Sequence, residues 1–231
     1  MSIQKKKSRS PLVAKNTEAA EKVAILFYML TVLTLSALGF NLMERWGEGL
    51  SRSFTAMLVE VVALVLLVPF CCFTPFRLTR PVLFRPWPVV RQSLVHGGWW
   101  LLGIASLCLL ARLALATPYP QINTRPLVDL QLGVKFRWLY LGTVVVQEYL
   151  AKCVMQEKMR QLMHTPRPWL VITACSLVFM ILHGGYSDIF MLAAGGLNLV
   201  TGWMYEKDRC VWSAVLIHFA CGFFPRTFGI Y

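Results

Sequence analysis

Long apolar runs alternate with short polar connections along the whole chain. Seven runs stand out, at roughly 23–43, 54–76, 97–118, 138–156, 168–187, 188–205 and 211–227. A hydrocarbon core of about 30 Å is crossed by about 20 helical residues, and the first three runs have that length. The last four are shorter or broken by polar residues, as in helices that shelter a polar site among neighbours. The pattern predicts an all-α polytopic transmembrane helix bundle of seven spans, or eight if the 77–92 segment or the 119–137 connection inserts. Residues 1–22 read as a basic cytoplasmic tail with no cleavable signal pattern, and 23–231 as a single transmembrane domain. The segment RLTRPVLFRPWPVVRQ, 77–92, is rich in Arg and Pro and is expected to lie in the membrane interface. Trp46, Trp99, Trp100, Trp138, Tyr140, Trp169, Trp203, Tyr205 and Trp212 sit near run ends, where aromatic anchors belong.

Composition agrees with the pattern. Hydrophobic residues make up 57% and charged residues 15%, against about 45–50% and about 25% in soluble domains. The net charge of +12 resolves into topology. Fifteen basic residues fall in the tail and in alternate connections, and six in the others. That alternation places the N-terminus in the cytoplasm and the C-terminus outside; the expected location is a bacterial inner (plasma) membrane. Nucleic-acid binding is excluded, because no basic residues interleave with aromatics on one surface. Seven cysteines, with no CxxC pair, read as small buried hydrophobes.

Ionisable groups inside apolar runs are costly, and each is a candidate for function. They are Glu60, Arg112, Glu148, Lys152, His183 and His218, joined by the neutral Gln147, Gln156 and Asn198. Glu60 is expected to pair with Arg112 or Lys152 or to stay protonated, and Arg112 to snorkel outward. Glu148 and Lys152 are one helical turn apart; the pair suits either a structural role or a carboxylate kept ionised beside a water. His183 closes LVFMILHGG, four residues after Phe179, and His218 lies within AVLIHFACGFF. At 1.5 Å per residue, Glu148 would lie about 15 Å below the outer surface, His183 about 6 Å and His218 about 14 Å. A carboxylate and two imidazoles at such depths suit hydrolysis: a base for water, a group to position it and a donor for the oxyanion. Interhelical hydrogen bonding is the structural alternative. Glu148, His183 and His218 also form a His2Glu set, a catalytic zinc pattern, but no HExxH helix accompanies it, and neither metal nor cofactor is expected.

The order of these groups resembles the CPBP family, the CAAX-processing and bacteriocin-processing (Abi-type) intramembrane glutamic proteases, whose motifs are EExxxR, FxxxH and HxxxN or D. Here the corresponding stretches are Gln147-Glu148-Tyr149-Leu150-Ala151-Lys152, Phe179-Met180-Ile181-Leu182-His183 and His218-Phe219-Ala220-Cys221-Gly222. The resemblance covers about 138–224. Gln147 stands where the family has its first Glu, Lys152 replaces Arg, and Gly222 replaces the final Asn, which removes an oxyanion donor; Asn198 or Cys221 is the candidate to stand in. The resemblance implies an intramembrane endopeptidase acting on a membrane-associated or secreted peptide or protein. Glu148 would be the base, Gln147 an auxiliary contact, Lys152 the partner of its charge, His183 the group that positions water and His218 the oxyanion stabiliser. Phe179 belongs to the second motif, and Gly184, Gly185, Gly195 and Gly196 would give close-approach or flexible positions beside an opening. The expected partners are the substrate and the lipid bilayer, with another membrane protein as a further candidate. Two readings compete with it: a catalytically inactive CPBP-like scaffold or immunity-type partner, and a small proton-coupled transporter, which the lack of an internal repeat disfavours.

Overall fold

The structure, a computed structural model, describes residues 85–129, 134–165, 167–183 and 187–230, without the side chains of 134–139, together with scattered positions between 19 and 61. The expectations for most of the tail and of the second run, and for Trp46, Glu60, Cys71, Cys72, Gly184 and Gly185, lie outside the described residues. The described elements are all helical, and no strand occurs among the described residues.

Helix α1 runs from Trp87 to Ala116. It starts earlier than the apolar pattern suggested. Pro88 in its first turn carries no N–H to leave orphaned and fixes a helical φ, so the 87–92 end of the expected interfacial segment is helix. Among the described residues α1 is the helix long and apolar enough to cross a membrane. A 3₁₀ turn, Pro120–Thr124, follows it. Arg112 does not snorkel. Its buried guanidinium donates to the carbonyls of Ile122, at 2.5 Å, and Arg125, at 3.1 Å. The Ile122 carbonyl also accepts from the Arg125 amide at 3.2 Å, so the cation adds a second donor there and one on the Arg125 carbonyl.

Helix α2, Val134–Glu148, passes without a break into a π-helical stretch, Tyr149–Gln156, and then into α3, Glu157–Met163. The continuous helix therefore outruns the 138–156 apolar segment, and Lys158 and Arg160, counted above as loop charges, are helical. Helix α4 spans Pro168–Leu182, α5 Asp188–Asp208 and α6 Trp212–Thr227. Ser187 caps α5 by accepting from the Phe190 amide at 3.3 Å.

Small residues set how closely the helices approach. A Cβ on Gly97 would meet Leu216 Cδ1 at 2.9 Å and the Ser213 Cα at 3.0 Å, so α1 and α6 touch almost backbone to backbone there. One turn earlier, Ser93 Oγ accepts from the Ser213 amide at 3.0 Å. Gly195 packs on Met180 and Gly202 on Ile172, which brings α5 onto α4. Gly196 faces open space and is no close-approach site. Between these contacts Ala151, Val154, Met155, Val171, Cys175, Phe179 and Ala194 form a buried apolar cluster that also takes in Ile25. Cys108, Cys153, Cys175 and Cys210 are buried, as small hydrophobes should be, whereas Cys221 is exposed.

Gly97→Ala is expected to destabilise the protein by about 1–3 kcal/mol, the range for overpacking a tight contact. Gly98→Ala, with nothing within 4 Å of the added methyl, should leave the midpoint of thermal unfolding in detergent unchanged. Equal midpoints for the two variants would contradict the α1–α6 contact.

Candidate active site

The polar residues of the long helix fall every fourth position: Glu148, Lys152, Gln156 and Arg160. Four residues come close to one turn in the α-helical and the π-helical parts alike, so they form a stripe on one side. The first three are fully buried. Helix α5 carries a matching stripe at Asn198, Gly202 and Glu206. Lys152 Nζ donates to the Asn198 side-chain oxygen and, at 3.3 Å, to its carbonyl. Gln156 Nε2 donates to the Gly202 carbonyl at 3.2 Å and to Glu206 at 3.4 Å, and Arg160 pairs with Glu206. Each rung joins positions 46 apart in sequence. A constant offset means that the two helices run parallel and in register. Only glycine fits at the middle rung, since a Cβ on Gly202 would lie 3.2 Å from Gln156 Oε1 and 2.9 Å from Ile172.

At the lower end, Arg209 pairs with Glu157 and, at 3.2 Å, with Glu206, while the buried Tyr205 hydroxyl donates to Glu157 at 3.2 Å. Arg209 follows α5 in the left-handed region, φ 53°. That conformation costs a side-chain-bearing residue about 1–2 kcal/mol, offset here by two ion pairs and by its carbonyl, which accepts from Arg85 Nε at 2.9 Å. Glu157 and Arg209 have no place among the sequence candidates, Tyr205 reads there as a membrane anchor, and Glu206 continues the fourfold spacing from Asn198.

The upper end holds the candidate chemistry. Glu148 is fully buried, so it and not the half-buried Gln147 faces the interior. His218 on α6 brings its Nδ1 to 2.8 Å from Glu148 Oε1. A carboxylate only accepts, so Nδ1 carries the hydrogen and Nε2 points away from the pair. Glu148 Oε2 lies 3.7 Å from Lys152 Nζ and has no hydrogen-bond partner among the described residues, although it is buried. The π-helical stretch opens directly after Glu148. Its i→i+5 bonding widens the turn, and such stretches recur at functional sites.

His183 ends α4, with Nδ1 2.7 Å from the Phe179 carbonyl and the ring 4.5 Å from that of Phe179. The Phe179 ring in turn meets His218 edge-on, at 6.3 Å between centroids. Glu148 and His218 thus touch directly, and His183 reaches them through Phe179. Asn198 is not beside Gly222: it holds Lys152 and donates to Ser176 Oγ at 3.0 Å, a contact that sequence reasoning missed. Cys221, being exposed, is not a buried donor either. Among the described residues no group of three His, Cys, Asp or Glu side chains is arranged to hold a metal. A separate groove of about 680 Å³ takes in Trp99, Trp100, Trp169 and Trp203 with Lys207, but none of the Glu148 cluster.

Residues 130–224 match the family model of the Rce1-like proteins, described as type II CAAX prenyl endopeptidases. The matched stretch runs from the start of α2 into α6, and it contains all three motifs on which the resemblance to the CPBP family rests. No curated protein and no solved structure matches the chain.

Removing one member of a buried ion pair strands the other, at about 3–5 kcal/mol. Lys152→Met should therefore lower stability by about that amount, and Glu148→Gln/Lys152→Met should recover most of it. Thermal unfolding of the two variants in detergent measures both; a double variant as unstable as Lys152→Met would refute the pairing.

Proposed function

We propose that the protein is an intramembrane endopeptidase that hydrolyses a membrane-associated or secreted peptide or protein with water activated at Glu148. The observation that carries this reading is the uneven use of one carboxylate: Oε1 is held by His218, whereas Oε2 is buried without a hydrogen-bond partner. A charged acceptor kept in that condition is expensive, and proton abstraction from water is work it is suited to. Lys152, anchored by Asn198, balances the carboxylate charge while its reach to Oε2 stays longer than a hydrogen bond. His218, oriented through Nδ1, faces the peptide carbonyl with Nε2, which donates to the developing negative charge when both ring nitrogens carry hydrogen. His183, whose Nδ1 hydrogen goes to the Phe179 carbonyl, would orient the water through Nε2.

Burial favours a second division of labour. Glu148 is fully buried and His218 less so, so water could reach His218 Nε2 first, with Glu148 orienting the ring as a carboxylate does in a triad. Both versions are hydrolysis, and both require the same pair.

The membrane setting is part of the proposal. Leu102, Leu107, Leu110 and Leu113 are exposed on α1, a continuous apolar surface that lipid would cover. The parallel register of α2–α3 with α5 fits two spans separated by one returning span, as seven spans with a cytoplasmic N-terminus and an outer C-terminus require.

The test is cleavage by the full chain reconstituted in vesicles, using fluorogenic peptides with and without a prenylated CAAX terminus. Glu148→Gln, His183→Ala and His218→Ala are each expected to lower kcat/KM at least about 100-fold, while Gln147→Ala has a smaller effect. Under the second division of labour His218→Ala is the most damaging of the four. Unchanged activity in Glu148→Gln, His183→Ala and His218→Ala would remove the protease reading.

A further inference from the structure

The third motif ends in Gly222, which has no side chain to offer the site. The structure shows what occupies its place. A Cβ built on Gly222 would coincide with the Tyr140 hydroxyl and lie 3.0 Å from Cε1 of the same ring. Tyr140 belongs to α2, the helix that carries Glu148. Its ring lies 5.8 Å from that of Phe219, and its hydroxyl is 3.4 Å from the His218 carbonyl. The hydroxyl therefore donates to that carbonyl in the absence of substrate.

Gly222 lies four residues after His218 on α6, so the two positions share a face about 6 Å apart along the axis. The Tyr140 hydroxyl therefore stands one helical turn beyond the His218–Glu148 pair. A water and the carbonyl it attacks would have to lie within that separation. Tyrosine brings an O–H donor on a rigid ring, with few torsions to order, and Phe219 limits how the ring swings.

From this we infer that Tyr140 is a further catalytic residue, whose hydroxyl donates to the oxygen of the scissile carbonyl beside His218, and that Gly222 is glycine because the hydroxyl needs its space. The inference rests on the protease reading above and names a donor that reading lacks. As Glu148 or His218 takes the proton from water, the new carbon–oxygen bond moves a pair of electrons onto the carbonyl oxygen. The Tyr140 O–H stabilises that charge without giving up its proton. Collapse of the intermediate returns the electrons, breaks the carbon–nitrogen bond and passes the abstracted proton to the leaving amine.

The experiment uses the reconstituted full chain and the same fluorogenic peptides, with kcat, KM and the thermal midpoint read for each variant. Tyr140→Phe is expected to lose about 100-fold in kcat, as removal of one oxyanion donor does, with KM within about twofold and the midpoint unchanged. A role in packing alone would lower the midpoint and spare kcat. Tyr140→Ala/Gly222→Asn returns a donor to the same place from the other helix and should recover at least tenfold over Tyr140→Ala; Tyr140→Ala/Gly222→Leu, of similar shape without a donor, should recover nothing. Equal recovery by Asn and Leu, or full activity in Tyr140→Phe beside an inactive Glu148→Gln, would overturn the assignment of Tyr140 and leave the protease reading standing. Wild-type protein that cleaves neither peptide would overturn the protease reading itself.

Discussion

Burying the charges of Glu148 and Lys152 is the constraint from which the polar core follows. Two ions moved out of water each lose several kcal/mol of solvation, and their mutual attraction alone seldom repays it. At 3.7 Å the pair is not a tight hydrogen-bonded bridge. The deficit is covered from the sides, by His218 on one carboxylate oxygen and by both oxygens of Asn198 on the ammonium. Asn198 is held in turn by Ser176. Helices α4, α5 and α6 are thus each tied to the same two charges, and their relative positions follow from the need to satisfy them.

Much of this was legible in the sequence. A fourfold spacing from Glu148 to Lys152 on an apolar run is enough to place both charges on one interior face, and the positions of His183 and His218 follow from motif order. The helical class follows from runs of the observed length. The partners were harder to see. Ser176 is a small polar residue in an apolar stretch and gives no periodic signal. Arg160 and Arg209 look like loop cations in a charge tally, yet both make ion pairs that need the folded register. Arg112 reads as a residue on its way to the surface until the 3₁₀ turn that it caps is known. Tyr140 reads as a membrane anchor, because nothing in a linear pattern reveals that its hydroxyl fills the gap at a glycine 82 positions away. In each case the missing information is tertiary: which element lies opposite.

The π-helical stretch deserves to be seen with the same constraint in mind. An α-helix that continued unchanged past Glu148 would keep its turn narrow where three neighbouring helices converge. Tyr149–Gln156 widens there, yet the polar stripe still meets α5 at every rung. Local hydrogen-bond geometry has been exchanged for alignment of Lys152 and Gln156 with their partners, a trade that makes sense only if those partners matter more than ideal helix geometry.

The constant offset of 46 between rungs bears on how such a chain tolerates change in length. The connection between α3 and α4 and the one between α4 and α5 lie between the paired stripes. A residue gained or lost in either connection alters the offset equally for every rung and leaves each partner opposite its own. A residue gained inside α5 between Asn198 and Glu206 turns everything after it by about 100°, so Glu206 leaves Arg160 and Gln156 while Lys152 keeps Asn198. Variation in length is therefore confined to the connections, and the helices between them behave as fixed rulers.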